Sequence, residues 1–423
     1  MRNVFLTLAL LVTLLFGLVP GAEASPAQDA LEPTGEGQET ARAPSAASPS
    51  LAPVRPEALT DKGTLIQYAL PVTPTHLIAA PNGQIWYSSF FGSAIGNLDP
   101  ATLVSRLYKL PEEKSVFGVE VDAAGNVWYS TANAAGGNDA VGRLNAVTNL
   151  ISEWRLPRNH FGLRIDPATQ NVWFVSKGTA SDQVVRLAPQ TSQLTLWNLS
   201  PYTDTYNLDI APNGDVWFTV QPRGLQGVGR LVPSTGQVTV WKMPSPAARP
   251  FQLHVVSPNE VWLTEFDASG NSVSRLTPGT NRLARYLVPT ANSGPGGVIK
   301  IGDRVWFTEY DGNKVGRLDP ADAAAQEVTL QTETYVAPST VTTIAPVTIA
   351  PQVLKSASNA GKITLLGARS SGFVEFPLPA PNSYPLEIVA GGQDTVWFTE
   401  TGGARISAFR LNPAGLFLPG VMK

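Results

Sequence analysis

The feature that most constrains the fold of this chain is a tryptophan-centred motif that returns at nearly constant intervals. The motif is a β-branched or apolar residue, a tryptophan, an aromatic or apolar residue and a small or β-branched residue. It occurs at Ile85-Trp86-Tyr87-Ser88, Val127-Trp128-Tyr129-Ser130, Val172-Trp173-Phe174-Val175, Val216-Trp217-Phe218-Thr219, Val261-Trp262-Leu263-Thr264, Val305-Trp306-Phe307-Thr308 and Val396-Trp397-Phe398-Thr399. Successive tryptophans are 42, 45, 44, 45, 44 and 91 residues apart. A period near 44 residues that holds four short strands is typical of a β-propeller blade, so the sequence predicts an all-β fold.

Further markers divide each period into strands. A strand ending in Arg-Leu follows the tryptophan strand, as in Val228-Gly229-Arg230-Leu231, and an alternating strand with a central aromatic residue comes next, as in 238–244. Asn-Gly or Gly-Asn pairs, such as Asn213-Gly214, precede the tryptophan strand where a tight hairpin needs positive φ. Seven copies predict a seven-bladed β-propeller with four-stranded antiparallel blades. The recurring arginines are interpreted as structural partners between blades: Arg143, Arg186, Arg230, Arg275 and Arg317.

The two ends of the repeat region are complementary. An outermost-type strand, Leu65 to Leu70, precedes the first tryptophan strand, and the last repeat stops after Arg410-Leu411 without such a strand. We therefore expect the N-terminal strand to complete the last blade and close the ring, which removes an open edge. A linear solenoid is the alternative, and it would leave this mismatch unexplained.

The interval of 91 residues contains one period and an insertion of about 47 residues. The insertion is placed at about 320–367 in the sixth blade of a propeller domain spanning 61–423. Its stretch from Tyr335 to Pro351 is rich in Thr, Val and Pro. This composition favours disorder, with a surface flap as the alternative. Lys362-Ile363-Thr364-Leu365 resembles an Arg-Leu-type strand and could form a degenerate hairpin.

The N-terminal 60 residues differ from the repeats. Arg2, an apolar run from Val4 to Val19 and the small-residue site Ala22-Glu23-Ala24 predict a signal peptide over 1–24, with an uncleaved anchor as the alternative. Residues 25–60 are rich in Ala, Pro and Ser and are expected to form a disordered linker. The sequence thus predicts a secreted protein, periplasmic or extracellular, without a membrane span after cleavage.

Composition excludes several classes of function. The chain has 30 Lys and Arg against 33 Asp and Glu, so no nucleic-acid partner is expected. It has no cysteine, which excludes disulfides, thiolate metal sites and a cysteine nucleophile. Only three histidines are present, His76, His160 and His254, which limits histidine-based catalysis and metal binding.

The repeat unit resembles that of the virginiamycin B lyases, also called streptogramin B lyases. The resemblance rests on Gly-x-Val-Trp-Phe-Thr-Glu, Val-Gly-Arg-Leu and a following x-x-Tyr-x-Leu-Pro, and it extends from Leu65 to Leu411. It implies a seven-bladed propeller and an elimination that opens a cyclic depsipeptide. In such a reaction a base removes an α-proton and a magnesium ion stabilises the departing carboxylate. The resemblance places these groups in Arg-Pro-His and Glu-Pro-His motifs before the innermost strands of the last two blades.

This sequence departs from both motifs. Gly296 takes the histidine position of the sixth blade, and Tyr384 and Leu386 take the glutamate and histidine positions of the seventh. In the fifth blade, Arg249-Pro250-Phe251 keeps Arg-Pro but has phenylalanine in place of histidine. The resemblance therefore implies that the lyase apparatus is absent, and that any lyase mechanism would need other residues.

Three sets of residues are candidates for a site. The position equivalent to Gly296 carries an aromatic residue in four consecutive blades, which predicts a ligand-binding arc at the channel mouth or, alternatively, packing between blades. The four are Phe117, Phe161, Tyr206 and Phe251. His160 is the best histidine candidate for a base, although a structural histidine is the alternative. Glu265, Glu309 and Glu400 follow the tryptophan motif in three adjacent blades and could hold Mg²⁺, or could simply accept hydrogen bonds from their own turns.

These observations favour a monomeric, non-catalytic binding module whose central face takes a small molecule, a glycan or a protein. The second hypothesis is a divergent metal-dependent carbon–oxygen lyase of the virginiamycin B lyase type. The third is an architectural spacer at the cell surface.

Overall fold

The computed structural model describes residues 61–132, 139–156, 158–221, 224–245, 248–266, 270–392 and 395–411. The predicted signal peptide (1–24) and linker (25–60) lie outside these residues. Apart from two one-turn 3₁₀ segments, Pro278–Thr280 and Thr401–Gly403, the regular structure of the described chain is all β. None of its helical segments has the length and apolar character needed to span a bilayer.

An N-terminal strand, β1 (Asp61–Ala69), precedes the repeats, and each of the first six repeats supplies four strands. The first two repeats contain β2 (Leu77–Ala79), β3 (Ile85–Ser89), β4 (Ala94–Asp99), β5 (Val104–Lys109), β6 (Ser115–Val121), β7 (Val127–Ala132), β8 (Ala140–Asn145) and β9 (Leu150–Arg155). The next two contain β10 (His160–Ile165), β11 (Val172–Ser176), β12 (Gln183–Ala188), β13 (Gln193–Asn198), β14 (Thr205–Ile210), β15 (Val216–Val220), β16 (Gly227–Val232) and β17 (Gln237–Lys242). The fifth contains β18 (Pro250–Ser257), β19 (Glu260–Glu265), β20 (Ser272–Thr277) and β21 (Arg282–Leu287).

The sixth repeat is interrupted by the insertion. It begins with β22 (Pro295–Ile301), β23 (Arg304–Glu309) and β24 (Lys314–Leu318) and resumes at β31 (Phe373–Pro377). The insertion itself forms β25 (Gln326–Thr329), β26 (Thr332–Val336), β27 (Ser339–Thr343), β28 (Val347–Ile349), β29 (Gln352–Ala357) and β30 (Ala360–Ser370). The last repeat consists of β32 (Pro385–Ala390), β33 (Thr395–Glu400) and β34 (Arg405–Leu411).

Each tryptophan strand is the second strand of its sheet, and both of its faces are covered by neighbouring parts of the molecule. This explains its nearly continuous apolar sequence. All five residues of β15 are buried, because strands covered on both faces need no polar alternation. Trp217 of β15 stacks on Trp241 of β17 with ring centroids 5.2 Å apart. The guanidinium of Arg230 on the intervening β16 lies 5.7 and 5.5 Å from these two rings. The prediction that these arginines link different blades is therefore wrong for Arg230, whose aromatic partners belong to its own repeat.

The innermost strands form a closed circle. β2, β6, β10, β14, β18, β22 and β32 contact one another in that order, and β32 contacts β2 again. At the ends of the chain, β1 pairs antiparallel with β34, with Gly63 opposite Leu411 and Ala69 opposite Arg405. The expected completion of the last repeat by the N-terminal strand is confirmed. The arrangement is that of a β-propeller.

The described strands form five five-stranded sheets and one nine-stranded sheet, rather than the expected four-stranded ones. In each five-stranded sheet four strands come from one repeat and the outermost comes from the insertion. β25, β26, β27, β28 and β29 pair with β21, β17, β13, β9 and β5, respectively. In the nine-stranded sheet, β30 pairs with both β1 and β31 and joins the last two repeats along their outer edges.

The insertion is thus an outer belt, which we define as residues 326–370. It leaves the sixth repeat after β24, passes the fifth to the first repeats in reverse order, and returns through β30 to β31. The expectation of disorder is wrong, because the exposed edges of the repeats give the Thr- and Val-rich segments backbone partners. Residues 362–365 lie in a strand, as expected. This strand, β30, pairs with β1, and Ile363 lies opposite Leu65.

The belt advances by seven residues per repeat. The backbone N–H groups of Leu330, Ala337 and Ile344 donate to turn carbonyls of successive repeats, those of Asn281, Gly236 and Ser192, at 2.8, 2.9 and 3.2 Å. Each acceptor residue has positive φ in the turn before the outermost strand of its repeat. A Val/Ile-Ala-Pro sequence at 336–338, 344–346 and 349–351 marks the crossings between sheets. Proline is tolerated there because an edge segment can lack an N–H donor.

Candidate functional site

A cavity of about 250 Å³ lies at the centre of the circle of innermost strands. Its lining comes from all seven of these strands: Leu77, Ile78, Glu120, Arg164, Asp209, Gln252, Leu253, His254, Val298, Ile299, Glu387, Ile388, Val389 and Ala390. It therefore combines residues that lie more than 300 positions apart in the chain.

One register position of the repeat supplies half of the lining residues. The residue paired with the motif tryptophan on the neighbouring innermost strand faces the cavity in every repeat. In repeats two to five this residue is polar: Glu120, Arg164, Asp209 and His254. In repeats one, six and seven it is apolar: Ile78, Ile299 and Val389. The cavity consequently has a polar arc facing an apolar arc.

The side chains of the polar arc form a chain of ionic contacts. Arg164 Nη1 donates to Glu120 Oε1 at 3.2 Å, and its Nε lies 3.6 Å from Asp209 Oδ1. His254 Nδ1 lies 3.6 Å from Asp209 Oδ2, which also accepts the backbone N–H of Val255 at 2.8 Å. One guanidinium is thus shared by two carboxylates, and one of these also faces an imidazole.

A second set of polar groups lies beside this chain. Gln252 Nε2 donates to Glu387 Oε2, and His76 Nε2 lies 3.7 Å from the same oxygen. His76 also packs against Phe117, with ring centroids 4.4 Å apart. Glu387 is therefore a third carboxylate of the cavity, and its partners are neutral or weakly basic.

Burial and charge shift the pKa values of these groups. Burial raises the pKa of Glu120 to about 7, against the opposing effect of Arg164 and with help from Asp209 and Glu387. Burial raises the pKa of Glu387 to about 7 as well, although Arg164 and the Gln252 hydrogen bond oppose it. Burial and the nearby Arg164 lower the pKa of His76 to about 3. Burial alone would raise the pKa of Asp209, but the His254 hydrogen bond and Arg164 lower it overall.

The four aromatic residues predicted for ligand binding lie in the innermost strands β6, β10, β14 and β18 and are 2–9% exposed. Phe117 and Phe161 pack edge to face with centroids 4.8 Å apart, and Phe161 packs against Tyr206 at 5.2 Å. Lys177 Nζ lies 3.8 Å from the Tyr206 ring centroid. These contacts correspond to the alternative given above, ring packing between repeats. Phe251 instead packs against Phe266 of its own repeat at 5.0 Å.

His160 is completely buried and does not line the cavity. Its ring packs edge to face against Phe174 at 5.3 Å, and burial lowers its pKa to about 4. The structure thus places His160 apart from the cavity, and among the described residues His254 is the histidine on the cavity wall.

The three glutamates predicted to bind Mg²⁺ are all fully buried. Glu265 accepts hydrogen bonds from Arg285 at 2.9 and 2.7 Å, and Glu400 accepts from Arg405 at 3.0 Å and from Gln67 at 2.7 Å. Across the described part of the chain, no group of three or more His, Asp or Glu side chains is arranged to hold a metal ion. Each carboxylate instead has neighbours in its own sheet. The structure does not bring the three together.

The cavity residues were missed at the sequence level, although a signal was present. The cavity residues paired with the motif tryptophans lie seven to nine positions before them, and four consecutive repeats place an ionisable residue there. The position examined for an aromatic arc lies ten to twelve positions before the tryptophan.

Comparison with known proteins identifies the family of this chain. The sequence pattern of the virginiamycin B lyase family matches residues 55–303 and 199–415. The chain belongs to this family. No curated protein matches the sequence.

Solved structures of the virginiamycin B lyase family share the fold. A catalytically inactive histidine-to-alanine variant of virginiamycin B lyase from Staphylococcus aureus with quinupristin is 20% identical, with a TM-score of 0.62. The match covers 83% of this chain and 100% of that one. A structure described as streptogramin B lyase is 18% identical, with a TM-score of 0.63, and covers 83% of this chain and 98% of that one. At these identities the likeness concerns the fold alone.

Gly296 and Tyr384 stand at positions that the resemblance matched to catalytic motifs of the virginiamycin B lyases, and both are closely packed. A Cβ on Gly296 would lie 2.9 Å from Thr308 Oγ1 and 3.0 Å from the Leu386 carbonyl oxygen. Tyr384 has φ of 48° and packs against Tyr310 at 5.0 Å. A histidine at Gly296 would therefore require the neighbouring backbone to move.

Proposed function

We propose that this protein is an exported, non-catalytic, seven-bladed propeller of the virginiamycin B lyase family that binds a small ligand in its central cavity. The seven-blade count is supported by seven tryptophan repeats and by the circle of seven innermost strands within the described chain. Export is supported by the signal-peptide pattern in residues 1–24.

The observation that carries the binding role is the amphipathic cavity of about 250 Å³. Small-molecule sites combine apolar surface with a few polar groups on rigid elements, and strands of a closed ring are such elements. The same ring has Gly296 and Leu386 at the matched histidine positions, and neither side chain can transfer a proton. Scaffold and cavity are present, and the proton-transferring side chains that the resemblance implies at these two positions are replaced.

A divergent lyase is the second candidate, favoured by the contact between His254 and Asp209. A carboxylate beside an imidazole orients the ring, as a general base requires. His254 Nε2 would then remove the proton of a substrate bound in the cavity.

Binding and turnover can be separated with the mature protein, residues 25–423. Incubation with quinupristin and magnesium is expected to give no ring-opened product by mass spectrometry. A panel of small charged and neutral compounds is expected to include one that raises Tm for the wild type and not for Ile299→Trp, whose larger side chain would fill the cavity. Magnesium-dependent ring opening that is lost in His254→Ala would overturn the proposal in favour of the lyase.

Export is tested separately. N-terminal sequencing of the protein released by the producing cell is expected to begin at Ser25. Retention of the whole chain in the cytosol would contradict export.

A further inference from the structure

We propose that the central cavity binds a small primary alkylammonium ion, with its ammonium group against Glu120 and Glu387 and its alkyl group against Ile78, Ile299 and Val389. This inference rests on the proposed function and names the ligand class of the same site.

The first argument is an excess of negative charge. Three carboxylates, those of Glu120, Asp209 and Glu387, face the cavity, and the Arg164 guanidinium contacts two of them, Glu120 and Asp209. His76 is uncharged near neutral pH because burial lowers its pKa to about 3. When all three carboxylates are ionised, they outnumber Arg164 three to one, and three to two if His254 is counted as a cation. Buried charge of one sign favours a ligand of the other sign.

The second argument is that the three carboxylates differ in their hydrogen-bond and ionic partners. Asp209 is already provided for by Arg164, His254 and two backbone N–H groups, those of Ile210 and Val255. Among the described residues, the side-chain partners of the Glu387 carboxylate are the neutral Gln252 amide and the His76 ring. Glu120 shares the single guanidinium with Asp209. Glu120 and Glu387 therefore have fewer cationic partners than Asp209. An ammonium group can donate three N–H hydrogen bonds to them.

The third argument is shape. The apolar arc of Ile78, Ile299 and Val389 stands at the same register as the polar arc, so a ligand with one charged end and one aliphatic end contacts both. A volume of about 250 Å³ is below the usual range of drug-sized pockets, which limits the ligand to a few heavy atoms. Arg164 and His254 keep 30% and 29% of their side-chain surface exposed, so the cavity is open to solvent.

Protons compete with such a ligand. Glu120 and Glu387, with pKa values of about 7, take up protons when no cation is present, and an ammonium ion must displace them. The other titratable and charged groups that face them are His76, Arg164, Asp209 and His254. Displacing one proton from a group with a pKa of about 7 makes binding about tenfold weaker at pH 6 than at pH 8.

The test is calorimetric titration of the mature protein with isobutylammonium chloride at pH 6, 7 and 8, in two buffers with different ionisation enthalpies. Sodium isovalerate, isobutanol and sodium chloride serve as the anionic, neutral and salt controls. We expect binding of the ammonium probe alone, proton release at pH 7 and about tenfold tighter binding at pH 8 than at pH 6. Glu387→Gln should weaken binding at least tenfold. Glu309→Gln, a buried glutamate outside the cavity, should leave binding unchanged.

The outcomes separate this inference from the proposed function. Binding of isovalerate or isobutanol in preference to the ammonium probe would overturn the cation assignment and leave a small-ligand cavity intact. Ammonium binding that is equal in Glu387→Gln and wild type would place the cation elsewhere and overturn the site. No binding by any of the three probes would overturn the alkylammonium assignment, whereas the small-ligand cavity is contradicted only if the wider compound panel also gives no shift in Tm.

Discussion

Replacement of Glu309 by glutamine should stabilise the protein at neutral pH and not at acid pH. Glu309 is fully buried at the end of β23. Glu265 occupies the same position in the fifth repeat and contacts Arg285, which lies opposite Ser274 in the sheet. In the sixth repeat the residue equivalent to Arg285 is Glu375, which lies opposite Gly316. Burial and the charge of Glu375 raise the pKa of Glu309 to about 8, against the opposing effect of Lys314.

The sign and size of the effect follow from linkage. A carboxyl group whose pKa is higher in the folded state binds its proton more tightly there, so its contribution to stability falls as pH rises from about 4.5 to about 8. At pH 7 the cost of keeping Glu309 protonated is of the order of 3 kcal/mol, and at pH 5 it is below about 1 kcal/mol. Glutamine is neutral in both states and avoids this cost. For about 350 ordered residues, a gain of about 3 kcal/mol corresponds to roughly 4 °C in Tm.

The assay is thermal unfolding of wild type and Glu309→Gln at pH 5, 6, 7 and 8, with Glu265→Gln as the matched control. Glu309→Gln should gain Tm with rising pH. Glu265→Gln should lose about 3–5 kcal/mol at every pH, because Arg285 would be left as a largely buried, unpaired charge. The reasoning is refuted if Glu309→Gln lowers Tm at pH 7 and 8, or if its effect does not change with pH.

Three further variants test the packing of the ring and its belt. Gly229→Val should cost more than about 3 kcal/mol in urea unfolding, because a Cβ there would lie 2.2 Å from the Phe218 ring; an unchanged midpoint would contradict the close packing. Lys114→Met should cost about 3–5 kcal/mol by leaving the fully buried Glu153 carboxylate, now 2.9 Å from the ammonium group, without that cation. Glu153→Gln added to it should recover part of this loss, and additivity of the two changes would show that the pair does not interact. Ala337→Glu should release the belt at a buried docking point, seen as at least tenfold faster proteolytic cleavage within 326–358 before global unfolding, and an unchanged rate would argue against docking.

The local pattern of the repeat was sufficient to predict the ring scaffold. A tryptophan between a β-branched residue and an aromatic or apolar one, a turn with Asn-Gly and a terminal Arg-Leu each favour one backbone conformation over a few residues. The same signals recur every 44 or so residues. The extra strand at 65–70 and a last repeat that stops after Arg410-Leu411 pointed to closure. These signals are short-range, and they identify strands and their order with no knowledge of distant contacts.

The belt could not be predicted this way, because its partners lie far along the chain. Thr, Val and Pro in 335–351 suit both a disordered segment and a set of edge strands. In the tertiary structure each seven-residue step of the belt lies beside the outer edge of a repeat. Turn carbonyls such as that of Gly236 accept hydrogen bonds from the belt backbone there, which favours edge strands.

The chemistry of the site was decided at the same level. Nothing local distinguishes Glu309, which faces another carboxylate, from Glu265, which faces an arginine, since the partner comes from a different strand. Similarly, Glu120, Arg164 and Asp209 are about 44 residues apart in sequence and meet only because the ring brings equivalent positions together. Sequence alone determined the repeating scaffold through short-range backbone preferences. Which side chains are buried, paired or left in excess charge depends on ring closure, because burial and Coulomb interactions act through space and not along the chain.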